Sequence, residues 1–219
     1  MITVGGAPSL AAIAEEKRQV FSRFDGSQVA VLYEAEAYRE SLEEGLAGRV
    51  VPFGPETTPG YEGFDPQGVD GTILRWRGRR IRLPLAGEHN VRNALAAVTV
   101  GLQVGCTDQQ IQDGLESAQP EFGRGEIIRG PITVVHDSYN ANADSMSAAI
   151  RLIAQTPHKT GRKILVLGAM YELGAYAEAH HRSVVALAAS SGAEFVFLFG
   201  EEFEPAVDAA GGGLHGEGM

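Results

Sequence analysis

The sequence predicts an α/β protein in two parts, the second a Rossmann-like parallel sheet. Three observations carry this. After residue 131, apolar runs of strand length alternate strictly with amphipathic stretches of helix length, the pattern of parallel βαβ units. A string rich in Pro, Gly and charge, "QPEFGRGEIIRGP", separates that half from a less regular one before it. The length, 219 residues, is about one and a half typical domains and buries a core without disulfides.

In chain order, Leu10, Ile13, Ala14, Val20, Phe21 and Phe24 recur at helical spacing and predict a helix over residues 8–24. "QVAVLY" is a strand, "EAYRESLEEGL" a helix with an acidic outer face, and "RVVPFG" a second strand. Residues 55–71, dense in Pro, Gly and Asp, read as a loop. "RWRGRRIR" alternates arginine with apolar residues around Gly78 and predicts a β-hairpin with a solvated arginine face. "NVRNALAAVTVGLQVG" is a helix with Asn90 as its N-cap, and "TDQQIQDGLESA" one opened by a Thr107–Gln110 capping box. In the second half "ITVVHD", "KILVLG" and "EFVFLFG" are strands, with "DSMSAAIRLIAQ" and "YAEAHHRSVVALAASS" as the helices between them. The tail "AAGGGLHGEGM" carries no strand or helix signal.

Composition narrows the function. A net charge of −10 and 7% aromatic residues disfavour a nucleic-acid surface. No run approaches the roughly 20 apolar residues of a membrane span, and the first residues have neither a basic nor a long apolar region of a secretory signal. The single Cys106 excludes an internal disulfide and a multi-cysteine metal site. These features point to the cytoplasm.

Lys17 falls on the apolar stripe between Ile13 and Phe21. It either snorkels from the stripe's edge or is a partly buried amine able to form a carbamate, an oxygen ligand suited to Mg²⁺. Asn90 and Asn93, three apart at a helix start, present both amides on one side, where they suit a purine edge or a phosphate, or simply cap the helix. Asp137 ends a strand, where ligands of parallel sheets bind, and Asn140, Asn142 and Asp144 follow it in a polar loop that equally suits turn and capping bonds. Arg124 in "FGRGE" lies at the boundary and suits a phosphate. Gly168 directly follows a strand, leaving room for backbone to approach a ligand. His136, inside an apolar strand, reads as structural; His180 and His181 diverge by about 100° on a helix and cannot share a metal. No Walker A string, G-x-x-x-x-G-K-[ST], occurs.

Together, "GEHNVRNALAA", "DSYNANADSM", "ILVLGAMYELGAYAEAHH" and "SLAAIAEEKRQVF" resemble, in the right order, blocks of the Mur ligase family. These are ATP-dependent amide-bond ligases of peptidoglycan synthesis. The second and third strings are similar to the branch that joins D-alanyl-D-alanine to UDP-N-acetylmuramoyl-tripeptide. The resemblance implies a partial ATP-binding central domain over residues 1–122, a hinge over 123–131 and a Rossmann-like C-terminal ligase domain over 132–219, expected to end early. It implies ATP and Mg²⁺ as cofactors, with Lys17 as the carbamylated, magnesium-holding lysine and Arg124 as the hinge arginine that meets ATP phosphate. It also implies that His89, Asn90, Asn93, Asp137, Tyr139 and Asn140 line the nucleotide, with Asp137 and Asn140 presented toward Asn90 and Arg124. In the implied reaction a substrate carboxylate takes the γ-phosphoryl group of ATP, and the resulting acyl phosphate is attacked by the amine of D-alanyl-D-alanine. The full-length enzyme is expected to be a monomer.

Departures from the pattern are also plain. "VLYEAEAY" stands where the family string is V-L-N-A-D-D-P-Y, Ala143 replaces a proline, and Ala169 replaces an aspartate, removing a substrate or metal contact. The family's Walker A loop, its metal-binding glutamate and histidine and its UDP-sugar domain lie upstream of the lysine helix, so this chain alone is expected to be inactive. The alternatives are another Mur ligase or a folylpolyglutamate synthase relative, which more often carry D-x-A-H in place of "DSYNAN", and a non-catalytic nucleotide-binding module.

Overall fold

The computed structural model describes residues 10–157, 161–210 and 215–216. It divides into two compact units. The first comprises Met1–Asp65, Ile73–Leu83 and His89–Ser117; the second comprises Pro66–Thr72, Pro84–Glu88 and Ala118–Met219.

The first unit opens with helix α1 (Leu10–Arg18), which tightens into a 3₁₀ turn at Gln19–Phe21. The helix expected over residues 8–24 is therefore shorter, and its first two residues lie outside the described ones. Strands β1 (Val29–Tyr33) and β2 (Arg49–Phe53) pair in parallel, Val29 opposite Arg49, with the short helix α2 (Arg39–Glu43) in the connection between them. Residues 55–71, read as a loop, contain strand β3 (Tyr61–Pro66). It joins a three-stranded sheet of order β3-β4-β5 with the expected hairpin, β4 (Thr72–Trp76) and β5 (Arg79–Leu83). The hairpin turn has positive φ at both Arg77 (48°) and Gly78 (69°), matching the twist of the flanking strands. Alternation then buries Leu74, Trp76, Ile81 and Leu83 on one face. Arg75 and Arg80 alternate onto the other face and pair with Asp65; Arg77 in the turn pairs with Asp108, and Arg79, at the rim of the buried face, bonds Gln109 and Gln112. The hairpin is a solvated, ion-paired face, as its alternation predicts.

Helix α3 (Glu88–Gln103) buries Val91, Ala94, Leu95 and Val98 at the spacing of one helical face. It starts two residues before Asn90, so Asn90 lies in its first turn and is not its N-cap. Helix α4 (Asp108–Glu116) has the Thr107–Gln110 capping box that the sequence predicts.

In the second unit, strands β6 (Glu126–Arg129) and β7 (Thr133–His136) form an antiparallel ribbon, Glu126 opposite His136. This corrects one expectation: the strand preceding Asp137 pairs, among the described residues, with β6 and not within the parallel sheet. The segment 123–131, expected as a hinge, holds β6. Helix α5 (Ala143–Gln155) leads to β8 (Ile164–Gly168), α6 (Ala177–Ala189), β9 (Phe195–Phe199) and α7 (Glu204–Ala210). Strands β8 and β9 are parallel, and β10 (His215–Gly216) adds to β9 in parallel, giving the order β10-β9-β8. The tail therefore supplies both the end of α7 and a short strand where no element was expected; its other residues lie outside the described ones.

The core of this unit packs Met146 and Ile150 of α5 with Leu165 and Leu167 of β8, Val184 and Val185 of α6, Val196 and Leu198 of β9, and Phe203. His181 is fully buried within it. Its Nε2 accepts the Met170 N–H at 3.1 Å, Nδ1 lies 2.7 Å from the Ala177 carbonyl, and Phe203 packs at right angles to the ring. The two bonds together require a neutral imidazole with its hydrogen on Nδ1. His181→Leu leaves the Met170 N–H and the Ala177 carbonyl each without that partner, and urea unfolding should show a loss of about 1–3 kcal/mol.

Candidate functional site

The first cluster lies at the start of α3. Gly87, at φ +93°, turns the chain into the helix, and Glu88 places an acid in its first turn. His89 and Asn93 are exposed and Asn90 half-buried. The Asn93 amide donates to Asn90 Oδ1 at 3.2 Å, and Asn90 Nδ2 stands 3.1 Å from His89 Nε2. Their three- and one-residue spacing thus makes one polar string at the positive end of a four-turn helix. Such a string offers donors and acceptors to a base or phosphate.

The second cluster joins the segment before β6 to the loop after β7. Gly123 is buried at φ +70°, a conformation that favours glycine, and its carbonyl accepts the Tyr139 N–H at 3.0 Å. A Cβ at position 123 would lie 3.3 Å from the Tyr139 nitrogen. The next residue, Arg124, stacks its guanidinium 3.9 Å above the Tyr139 ring and bonds Glu121 through Nε at 3.2 Å. Both Arg124 and Tyr139 remain more than half exposed, leaving donors open to an anion. Asp137, immediately after β7, is exposed.

The rest of the polar loop divides differently. Asn140 Oδ1 accepts the Ala141 N–H at 2.8 Å, a local turn bond. Asn142, one of the residues expected to cap, caps α5: its Oδ1 accepts the Ser145 N–H at 2.9 Å, and Ser145 Oγ accepts the Asn142 N–H at 3.1 Å. Four residues outside the expected set also meet here. His136 Nε2 lies 2.8 Å from Ser138 Oγ, its Nδ1 lies 3.4 Å from Glu126 Oε2, and Phe122 packs edge-on against the ring. The signal for this was weak: Glu126 lay in a segment read as hinge, so its pairing with His136 across a ribbon was invisible.

Lys17 is exposed, as the snorkelling alternative has it, and is not the partly buried amine of the other. The buried face of α1 is Ala14, with half-buried Arg18 one turn later bonding Glu15 and the Glu44 carbonyl. Ile13, on the Lys17 stripe, is itself at the exposed limit. The stripe is real in sequence, but the described residues pack against the neighbouring face. Among them no three His, Cys, Asp or Glu side chains converge to hold a metal. Gly168 has open space beside its Cα, as expected of a strand end free to meet a ligand. Ala169 is buried; its N–H donates to the Phe199 carbonyl at 2.8 Å, and a Cβ on Gly200 would come within 2.5 Å of its own. Position 169 thus faces a tight backbone crossing.

Two family models match the chain in sequence: the Mur ligase middle domain over residues 5–101 and the Mur ligase glutamate ligase domain over residues 123–213. The chain belongs to the Mur ligase family. The UDP-N-acetylmuramoyl-tripeptide–D-alanyl-D-alanine ligase of Treponema pallidum is 41% identical over 196 residues, covering 90% of this chain and 42% of that protein. A crystal structure of MurF from Acinetobacter baumannii superposes with a TM-score of 0.81 at 27% identity, over 94% of this chain and 46% of its own. MurF from Thermotoga maritima, solved with ADP, shares the fold with a TM-score of 0.73 at 22% identity, over 89% of this chain and 46% of its own. The chain spans less than half the length of the Mur ligases it matches.

Because Asn142 bonds the first turn of α5, Asn142→Ala should lower stability by about 1 kcal/mol in denaturant titration. Asn140→Ala removes only a turn bond and should cost less.

Proposed function

We propose that this chain is the ATP-binding and C-terminal portion of a ligase that adds D-alanyl-D-alanine to UDP-N-acetylmuramoyl-tripeptide through an acyl phosphate. The observation that carries the reading is the "DSYNANADSM" loop. Its Asn142 caps α5, its Tyr139 carries the Arg124 guanidinium, and its Asp137 stands exposed at the end of β7. The name of the Treponema pallidum relative, and the name given to further relatives at 29–34% identity, supports the same substrates.

In this reading residues 1–122 belong to the nucleotide-binding middle domain, 123–131 to the hinge and 132–219 to the C-terminal ligase domain. His89, Asn90 and Asn93 are the nucleotide contacts of the first unit, and Arg124, Asp137, Tyr139 and Asn140 those of the second. ATP, when bound, supplies the phosphoryl group that activates the acceptor carboxylate. Arg124 contributes a fixed cation: its stack on Tyr139 and its bond to Glu121 restrict its rotamers before any phosphate arrives. The polar string at α3 orients a base through amide donors and acceptors. Mg²⁺ enters the reading through a Lys17 carbamate. The described residues do not fit a complete magnesium site, since Lys17 is exposed and no acidic or imidazole cluster accompanies it. The chain's own contribution is therefore confined to nucleotide and phosphate contacts. The reading includes a monomeric, cytoplasmic enzyme.

Titrating ATP into the ¹⁵N-labelled chain should shift the side-chain amides of Asn90 and Asn93 and the backbone of Asp137 and Tyr139. Arg124→Ala should weaken binding about tenfold, the order expected for one charge-assisted contact. Shifts confined to other regions would sink the site assignment.

The 219 residues contain no Walker A string, whose backbone amides and lysine cradle the β- and γ-phosphates. Expressed alone, the chain should release no phosphate in the presence of ATP, UDP-tripeptide and D-alanyl-D-alanine. Release dependent on both acceptors would overturn that expectation. The coding DNA on the 5′ side of Met1 offers an independent check, since an in-frame G-x-x-x-x-G-K-[ST] supports the ligase over a non-catalytic module. In a polypeptide carrying that string, Lys17→Ala tests the carbamate by itself: ligation lost and partly restored by short carboxylic acids supports it, and ligation lost with no rescue, or retained, rules it out.

A further inference from the structure

We propose that Ser138 is an activated nucleophile, with His136 as its general base and Glu126 as the group that orients His136, and that it accepts acyl groups from small acyl phosphates. The activity does not depend on the ligase reading, because the three residues lie in one unit and need no nucleotide.

The arrangement follows from strand geometry. Glu126 and His136 are directly opposite partners in the β6–β7 ribbon, so their side chains emerge on one face. Ser138 is two residues beyond His136 at the strand end, which in extended backbone returns it to the side of the imidazole. The distances fit the roles: 3.4 Å from Glu126 Oε2 to His136 Nδ1, and 2.8 Å from His136 Nε2 to Ser138 Oγ. An ionised carboxylate can only accept a hydrogen bond, so Glu126 selects the tautomer with hydrogen on Nδ1. Nε2 then carries the lone pair, and the Ser138 hydroxyl donates to it. That is the protonation state of a nucleophile and base before attack.

The surroundings favour reaction at this hydroxyl. Phe122 packs edge-on against the imidazole at 4.9 Å between ring centres, and the His136 side chain is 24% exposed, while Ser138 itself is exposed. A Cβ at Gly123 would lie 3.6 Å from Ser138 Oγ, so glycine there keeps the approach open. The Arg124 guanidinium, stacked on the residue that follows Ser138, supplies a cation for an anionic leaving group. This favours acyl phosphates over neutral esters as donors.

The step balances without a further reagent. Ser138 Oγ attacks the acyl carbon, its proton passes to His136 Nε2, and the carbon–oxygen bond to phosphate breaks. Phosphate leaves and the proton departs from His136 with it or to water. Water, deprotonated by the same nitrogen, then hydrolyses the acyl-serine to carboxylate and regenerates the hydroxyl.

The test uses the full chain and acetyl phosphate, followed by tryptic digestion and mass spectrometry. Residues 130–151 fall in one peptide that lacks lysine, the usual target of this reagent, and holds Ser145 and Ser147 as internal controls. An acetyl group should appear on Ser138 well ahead of both controls. Its rate should fall by on the order of tenfold or more in His136→Gln and in Glu126→Gln, with thermal melting showing that each variant is folded. Equal labelling of the three serines in the native chain, or an unchanged rate in folded His136→Gln, would overturn the proposal. The native-chain comparison decides even if a variant does not fold. ATP binding at Asn90 and Asn93 is read separately, so its loss leaves this result standing.

Discussion

The second unit's candidate site depends on one backbone bond, from the Tyr139 N–H to the Gly123 carbonyl. Taken alone it is worth about 1 kcal/mol. Its consequence is geometric. It fixes the segment before β6 against the loop after β7, so Phe122 meets His136, Arg124 meets Tyr139, and the sites of two sequence-distant strings become one surface. Only a residue tolerant of φ near +70° and lacking a Cβ satisfies that bond without crowding the Tyr139 nitrogen. A cation over an exposed ring adds about 0.5–1 kcal/mol, small for the fold but enough to restrain a long arginine.

The legible parts of the fold were those whose signal is local. The Thr107–Gln110 box, the Arg77–Gly78 turn and the helices of the second unit each rest on a few adjacent residues, and each is present. The strands β3, β6 and β10 were missed for a common reason. Each contains or adjoins Gly or Pro and is stabilised by a partner whose position the local string does not encode. The orientation of β7 shows the same limit: "ITVVHD" reads as a strand, but only β6 makes its pairing antiparallel.

Side chains follow the same division. Asn90 and Asn93 meet because helical spacing requires it. Of the two readings its stripe allowed, Lys17 takes the exposed one, because periodicity marks an apolar stripe without saying which neighbouring face is covered. In α1 that face is Ala14 and Arg18. His181 illustrates the converse. Adjacent to His180 it argued only against a shared metal, whereas its burial and two opposed bonds make it an internal strut between the turn after β8 and the first turn of α6. Ala169 belongs with it. A Cβ on Gly200 would come within 2.5 Å of the Ala169 Cβ, so the two segments approach this closely because position 200 is glycine.

The loop "DSYNAN" carries two kinds of work, and the structure separates them by residue. Asn140 closes a turn and Asn142 caps α5. Both amides hold the loop's shape and would do so with no ligand at all. Asp137, Ser138 and Tyr139 make none of those bonds through their side chains: one ends β7 exposed, one meets an imidazole and one carries a guanidinium. A motif is thus a poor guide to which of its members touch a ligand. The framework residues lie toward α5, because the helix N-terminus needs acceptors for its free N–H groups. The chemically available residues lie toward β7, where the strand has ended and no helix N-terminus draws on their side chains. The order of roles along the string follows from the strand–loop–helix connection itself.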